Sequence, residues 1–251
     1  MWPDMTAPSS DMTTRKHRQR YVLPDPPERE PEDMTSFKHL GENGNVHHLI
    51  QHFGNREATV FGSEKFISSA PRSPAHSRRI PDLLISFNAK PELYDASNGY
   101  VISEQGKAPD FVLEVASPST GREDVGRKRD DYAAMGILEY WRFDETGEFH
   151  GTRLAGDRLV DGAFQAIPIE ALEEGVLQGY CETLNLFLRW DNGQLGWYDP
   201  DTGRHIVTFD DERLRADAAG ARVAEEQRAR LAAEARVREL EAELARRDAE
   251  G

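Results

Sequence analysis

The apolar runs of this chain are short and dense. "IPDLLISF" and "ILEYWRFD" predict strands, and between them Phe111–Ala116 within "DFVLEVASPST" carries apolar residues at nearly every position. That last run has the pattern of a strand covered on both faces. "ATVFG" and "KFISS" predict shorter strands, and "NVHHLIQHF" predicts a short helix. "APRSPAHSRR" and "NAKPELYDASNGYVISEQGKAP" read as loops. After "SPST", Thr120 followed three residues later by Glu123 has capping-box spacing. The helix so begun extends to about Met135 and stops at Gly136, a residue type suited to the left-handed end of a helix. "TGEFHGTRL", "DRLVDG" and "FQAIPI" predict a β-meander. "LNLFLRWDNGQLGWYDPDTGRHIVTF" predicts further strands, turning at "DNG" and "DPDTG".

The two ends differ from this middle. Residues 1–35 are rich in Pro, Asp, Glu and Arg without apolar periodicity, and predict a flexible arm; its basic cluster "RKHRQR" reads as a solvated charge run. Residues 36–210 form the expected domain. From 211 to 251 the composition turns to Ala, Glu, Arg and Leu, which predicts one exposed charged helix. Its apolar positions (Val223, Leu231, Val237, Leu240, Leu244) keep no clean heptad. A coiled coil, with a homodimer as its consequence, and a lone helix both stay open.

Charge and composition narrow the function. The 251 residues carry a formal net charge of −14, with 38% hydrophobic and 30% charged residues. No apolar run reaches the roughly 20 residues of a membrane span, and the first residues lack the apolar core of a signal peptide. The lone Cys181 forms no internal disulfide, so a reducing, cytoplasmic setting is expected. Net acidity argues mildly against nucleic acid, though local basic patches coexist with a negative total.

Glu114 is the anomaly, a carboxylate in the middle of an apolar strand. Burying it ionised costs several kcal/mol by order of magnitude unless a cation or donors pair with it. Asp82 stands at the entrance of the preceding predicted strand, so neighbouring strands can bring the two carboxylates together; taken alone it reads as a turn residue after Pro81. Two carboxylates at one site repel unless a cation lies between them, and oxygen ligands suit Mg²⁺ or Mn²⁺. Asp124, Lys128 and Tyr132 follow at helical spacing along one face. Lys128 can thus reach the carboxylates, or form an ordinary Asp–Lys surface pair. Asp110, four residues before Glu114, is a reserve candidate. His48 and His52 have metal-ligand spacing without an acidic partner motif, and read as helix surface or core rather than a zinc site.

These motifs together resemble the Uma-two family of restriction endonucleases, in the PD-(D/E)XK nuclease superfamily. The residues that carry the resemblance are Pro81-Asp82, Glu114-Val115-Ala116-Ser117, Asp124, Lys128, Tyr132 and Gly136-Ile137-Leu138-Glu139-Tyr140-Trp141. It spans roughly residues 45–210, and His47 matches only loosely. The superfamily's usual lysine would fall at Ala116; its match here is Lys128. The resemblance implies an α/β restriction-endonuclease-like fold: a mixed central sheet flanked by helices, with the meander and charged helix as additions. It implies a metal-dependent endonuclease that hydrolyses DNA phosphodiester bonds, with Asp82 and Glu114 on Mg²⁺ or Mn²⁺ and Lys128 catalytic. The alternative is a catalytically silent nuclease-fold binding or scaffold protein, and a small-substrate hydrolase using the same metal stays open behind both.

Overall fold

The computed structural model describes residues 20–28, 37–42, 45–206, 218–223, 225–234, 236–238 and 246. The three apolar runs are the centre of a six-stranded mixed sheet. Leu83–Phe87 is β3, Phe111–Val115 is β5 and Glu139–Phe143 is β6. Strand β1 (Thr59–Gly62) lies outside β3, while β7 (Leu154–Val160) and β8 (Ala163–Ile167) extend the other side, in the order β1-β3-β5-β6-β7-β8. Strands β5 and β6 are parallel and the other pairings antiparallel. A parallel neighbour needs a crossover. The helices α4 (Gly121–Val125) and α5 (Arg127–Met135) supply it.

Both faces of this sheet are covered, which is why β3 and β5 are largely apolar. On one face Leu83, Ile85, Phe111, Leu113 and Trp141 pack against Leu186, Leu188, Trp190 and Trp197. The latter belong to a five-stranded antiparallel sheet in the order β13-β12-β11-β10-β9. Its strands are β9 (Ile169–Ala171), β10 (Leu177–Cys181), β11 (Leu186–Asp191), β12 (Gln194–Asp199) and β13 (Arg204–His205). On the other face Leu84, Val112 and Tyr140 meet Tyr132 of α5. Helix α1 (Asn45–Phe53) is tied down by Asn45, whose side-chain amide donates to the Leu195 carbonyl at 2.8 Å. The chain therefore has the mixed central sheet flanked by helices, and the appended meander, that the sequence predicts.

Four local expectations change. The crossover helix is broken at Gly126 (φ −107, ψ −96), so Asp124 and Lys128 lie on different helices. Thr120 makes no side-chain cap to α4; its hydroxyl pairs with that of Ser117 at 2.9 Å. The expected loop after β3 contains α2 (Pro91–Ser97), β4 (Gly99–Val101) and α3 (Ile102–Gln105), pieces too short for a periodic apolar signal. Strand β4 pairs in parallel with β2 (Phe66–Ser68). The segment "TGEFHGTRL" is mostly a loop, and the meander begins only at Leu154.

Of the predicted arm, residues 20–28 are described. Leu23 is buried, with its N–H donating to the Ser97 carbonyl at 2.9 Å. The rest of the arm lies outside the described residues, as does much of the tail; the tail's described stretches are helical and mainly exposed. Among the described residues no helix is long and apolar enough to cross a membrane.

Candidate active site

Strand register brings the first two candidates together. Leu83 pairs with Leu113 and Leu84 with Val112, so one step further sets Asp82 opposite Glu114. Side chains alternate across a strand. Leu84 and Val112 pack on the helix side of the sheet, and Asp82 and Glu114 share that parity. Asp82 is nearly buried, and its Oδ2 accepts the Val115 N–H at 2.6 Å. Its carboxylate thereby extends the pairing of β3 with β5 beyond the last backbone partners.

Glu114 is 2% exposed. Its Oε1 accepts the Tyr132 hydroxyl at 2.6 Å, and its Oε2 lies 3.0 Å from Lys128 Nζ. Lys128 also meets Asp124 Oδ1 at 2.7 Å. Burial pushes the Glu114 carboxyl up to about 8; the Lys128 ammonium opposes this, while Asp124 and Asp82 add to it. For Lys128 the balance is reversed. Burial works against its charge, but Glu114 and Asp124 together hold its pKa above the ordinary value. The ammonium is thus firmly charged, and it is shared between two buried acids.

Asp124 is wholly buried, and its Oδ2 accepts His150 Nε2–H at 3.0 Å. The Tyr140 hydroxyl donates to the Asp124 backbone carbonyl at 2.9 Å, which pins the end of α4 to the sheet. His150 comes from the loop between β6 and β7, shaped by Asp144. One oxygen of Asp144 accepts the N–H groups of Phe149 and His150 at 2.7 and 2.8 Å. The sequence pattern does not mark His150, since it sits in a turn-rich segment without periodicity.

Asp82, Glu114 and Lys128 open onto one cleft of about 950 Å³. Lys65, Arg78 and Arg79 also line it, as do Asp25 and Glu28 of the N-terminal stretch. Arg78 donates to the Tyr21 hydroxyl at 3.2 Å, and Lys65 lies 3.8 Å from Asp25. The reserve candidate Asp110 lies elsewhere: its carboxylate pairs with Lys107 at 2.7 Å and accepts the Phe87 N–H at 2.8 Å. Arg129 of α5 binds Asp157 at 2.9 Å. His48 is buried beside a separate cavity, and His47 is exposed. Among the described residues no group of three or more His, Cys, Asp or Glu side chains is arranged to hold a metal ion.

The Uma2 family model, described as "Putative restriction endonuclease", matches residues 28–187. A crystal structure from Anabaena variabilis, of a "putative nuclease belonging to DUF820", is similar at 13% identity. It covers 57% of this chain and 70% of its own, with a TM-score of 0.37. No curated protein matches the chain.

Proposed function

From the premise that the chain belongs to the Uma2 family, we propose that it is a metal-dependent endonuclease that hydrolyses DNA phosphodiester bonds. The observation that carries this reading is the convergence of Asp82, Glu114 and Lys128 on one cleft, with Lys128 3.0 Å from Glu114. The donor set suits a hard divalent cation. Asp82 and Glu114 offer carboxylate oxygens, and Asp124 adds negative charge behind them. The raised pKa of Glu114 marks a place where more positive charge is favourable. Asp82 and Glu114 would hold Mg²⁺ or Mn²⁺. Such an ion supplies an activated water and polarises a phosphoryl oxygen.

The residues of the chain do the rest. Tyr132 and Lys128 each occupy one oxygen of Glu114 and so fix its orientation toward the cleft. The Lys128 ammonium orients the nucleophile and stabilises the charge that develops on the phosphorus oxygens. Lys65 and Arg78 offer cations along the cleft for flanking phosphates, while Arg79 is held by Asp131.

The second reading is a catalytically silent nuclease-fold binding or scaffold protein. It is favoured by Glu114 already having two partners in the protein. Plasmid cleavage in Mn²⁺ separates the two readings. Lys128→Ala is expected to lower the rate on the order of a hundred- to a thousand-fold, or about 2.7–4 kcal/mol. Because it also leaves two buried carboxylates without their cation, the melting midpoint is measured beside each rate. Lys128→Arg keeps the charge but loses the compact ammonium, so it should stay folded while cleaving poorly. Asp82→Asn is the metal-site control. Equal cleavage by the wild type and both Lys128 variants would remove the catalytic role. Absence of cleavage by every protein, across metals and substrates, would favour the scaffold reading.

A further inference from the structure

We propose that His150 is a positioning residue of this cleft, acting through Asp124 to hold the Lys128 ammonium in place. This rests on the reading of Lys128 as the catalytic ammonium, and extends it to a residue that touches neither the cleft carboxylates nor Lys128.

Asp124 has two oxygens and two partners. Oδ1 faces Lys128 at 2.7 Å and Oδ2 faces His150 Nε2 at 3.0 Å. A carboxylate accepts only, so Nε2 carries the proton and donates. His150 Nδ1 is buried without a hydrogen-bond partner among the described residues, which leaves the bond to Asp124 as the ring's polar anchor. Without His150, Asp124 could rotate about its side-chain torsions and withdraw Oδ1 from Lys128. With it, both oxygens are committed, and the ammonium is held between Asp124 and Glu114.

The surroundings make His150 a rigid support. Asp144 fixes the backbone N–H groups of Phe149 and His150. Phe149 packs so closely on α4 that a Cβ at Gly121 would lie 2.4 Å from the Phe149 Cβ. The break at Gly126 makes such support necessary. Because Asp124 and Lys128 lie on separate helices, backbone geometry alone does not hold them together as it would at i, i+4 of one helix.

The test uses the full chain and the variants His150→Phe and His150→Gln. Phenylalanine keeps the ring and removes the donor; glutamine restores an N–H near the Nε2 position. Two readouts are taken. One is acetylation of Lys128 by an amine-reactive ester, followed by peptide mass spectrometry, with and without Mn²⁺. The other is plasmid cleavage, resolved into kcat and KM. His150→Phe is expected to acetylate faster at Lys128 than the wild type and to lose on the order of ten- to a hundred-fold in kcat, the range for removing a hydrogen-bonded support of a site group. KM should change little, and His150→Gln should recover most of both readouts. If His150→Phe melts at a lower temperature but matches the wild type in Lys128 acetylation and kcat, or if His150→Gln recovers nothing, the positioning role is overturned. If acetylation shifts as expected and no protein cleaves DNA, the anchoring stands and only the nuclease reading fails.

Discussion

Glu114 and Glu139 lie on neighbouring parallel strands and both are buried, yet their partners differ in kind. Glu114 faces the helices and the cleft. Glu139 faces the second sheet, where its Oε1 accepts from Arg158 and from the Glu182 N–H at 3.0 Å each. Its Oε2 accepts the Trp141 indole N–H at 3.2 Å. Glu139 therefore joins the two sheets and has no path to the cleft chemistry. Removing it strands buried donors, so Glu139→Ala is expected to cost about 3–5 kcal/mol in urea unfolding; a cost below about 1 kcal/mol would contradict the assignment. Asp144 provides the pH-dependent term at this scale. Partial burial raises its pKa, but the N–H groups of His150 and Phe149 and the hydroxyl of Thr146 outweigh that and hold it below the ordinary value. A carboxyl depressed on folding adds stability above its unfolded pKa and loses it as pH falls through the folded value. Asp144→Asn should accordingly flatten the acid limb of a plot of melting midpoint against pH, below about pH 4. An unchanged acid limb would mean that Asp144 is not a main contributor.

Among the elements, close packing between the two sheets runs through Trp141. On β6 it pairs with Gly156 of β7, and its ring covers that glycine. From the facing sheet Gly179 of β10 approaches so closely that an added Cβ would lie 2.6 Å from the indole. These two glycines let the large ring lie flat between the sheets, and a fully buried aromatic of this kind contributes a large share of a small core. Gly179→Ala should force the sheets apart or the ring off its rotamer, for about 1–3 kcal/mol. Thermal or urea unfolding checks this, and a neutral result would show that the β10 backbone yields. The crossover elements follow a different logic. Helix α5 ends cleanly at Gly136 (φ 80), whose N–H caps the Ala133 and Tyr132 carbonyls. The break at Gly126 aims α4 toward the 144–153 loop and α5 over the sheet, so the two carry separate parts of one site.

For the whole molecule, stability resides in the two-sheet body and the helices over its outer face. The described tail helix is highly exposed, with Leu231 and Val237 open to solvent. Deletion of residues 211–251 is expected to leave the melting midpoint nearly unchanged, and a large drop would place the tail in the core. The cleft lining keeps the sign of the net charge of −14, with six acids (Asp25, Glu28, Glu64, Asp82, Glu114 and Glu123) against four cations. Lys65, Arg78, Arg79 and Lys128 stand there among those acids.

The strands β3 and β5 are legible in the sequence because burial on both faces writes itself into nearly consecutive apolar positions. The stop at Gly136 is legible because it is a local backbone matter. The anomaly at Glu114 was visible for the same reason, as one charge against an apolar background. That Asp82 shares its face was not, since this depends on the pairing of Leu83 with Leu113. Nor could spacing show that Tyr132 reaches Glu114, that the helix breaks between Asp124 and Lys128, or that residues 25–28 line the cleft. His150 is the clearest case. Its contact with Asp124 joins positions 26 residues apart through a loop whose path is set by Asp144 and by the bare surface of Gly121. Periodicity and caps reflect interactions within a few residues, so the sequence alone determined the central strands and the stop of α5, and named the charged candidates. Which of those candidates meet is decided by register and loop closure, which exist only once distant segments have packed.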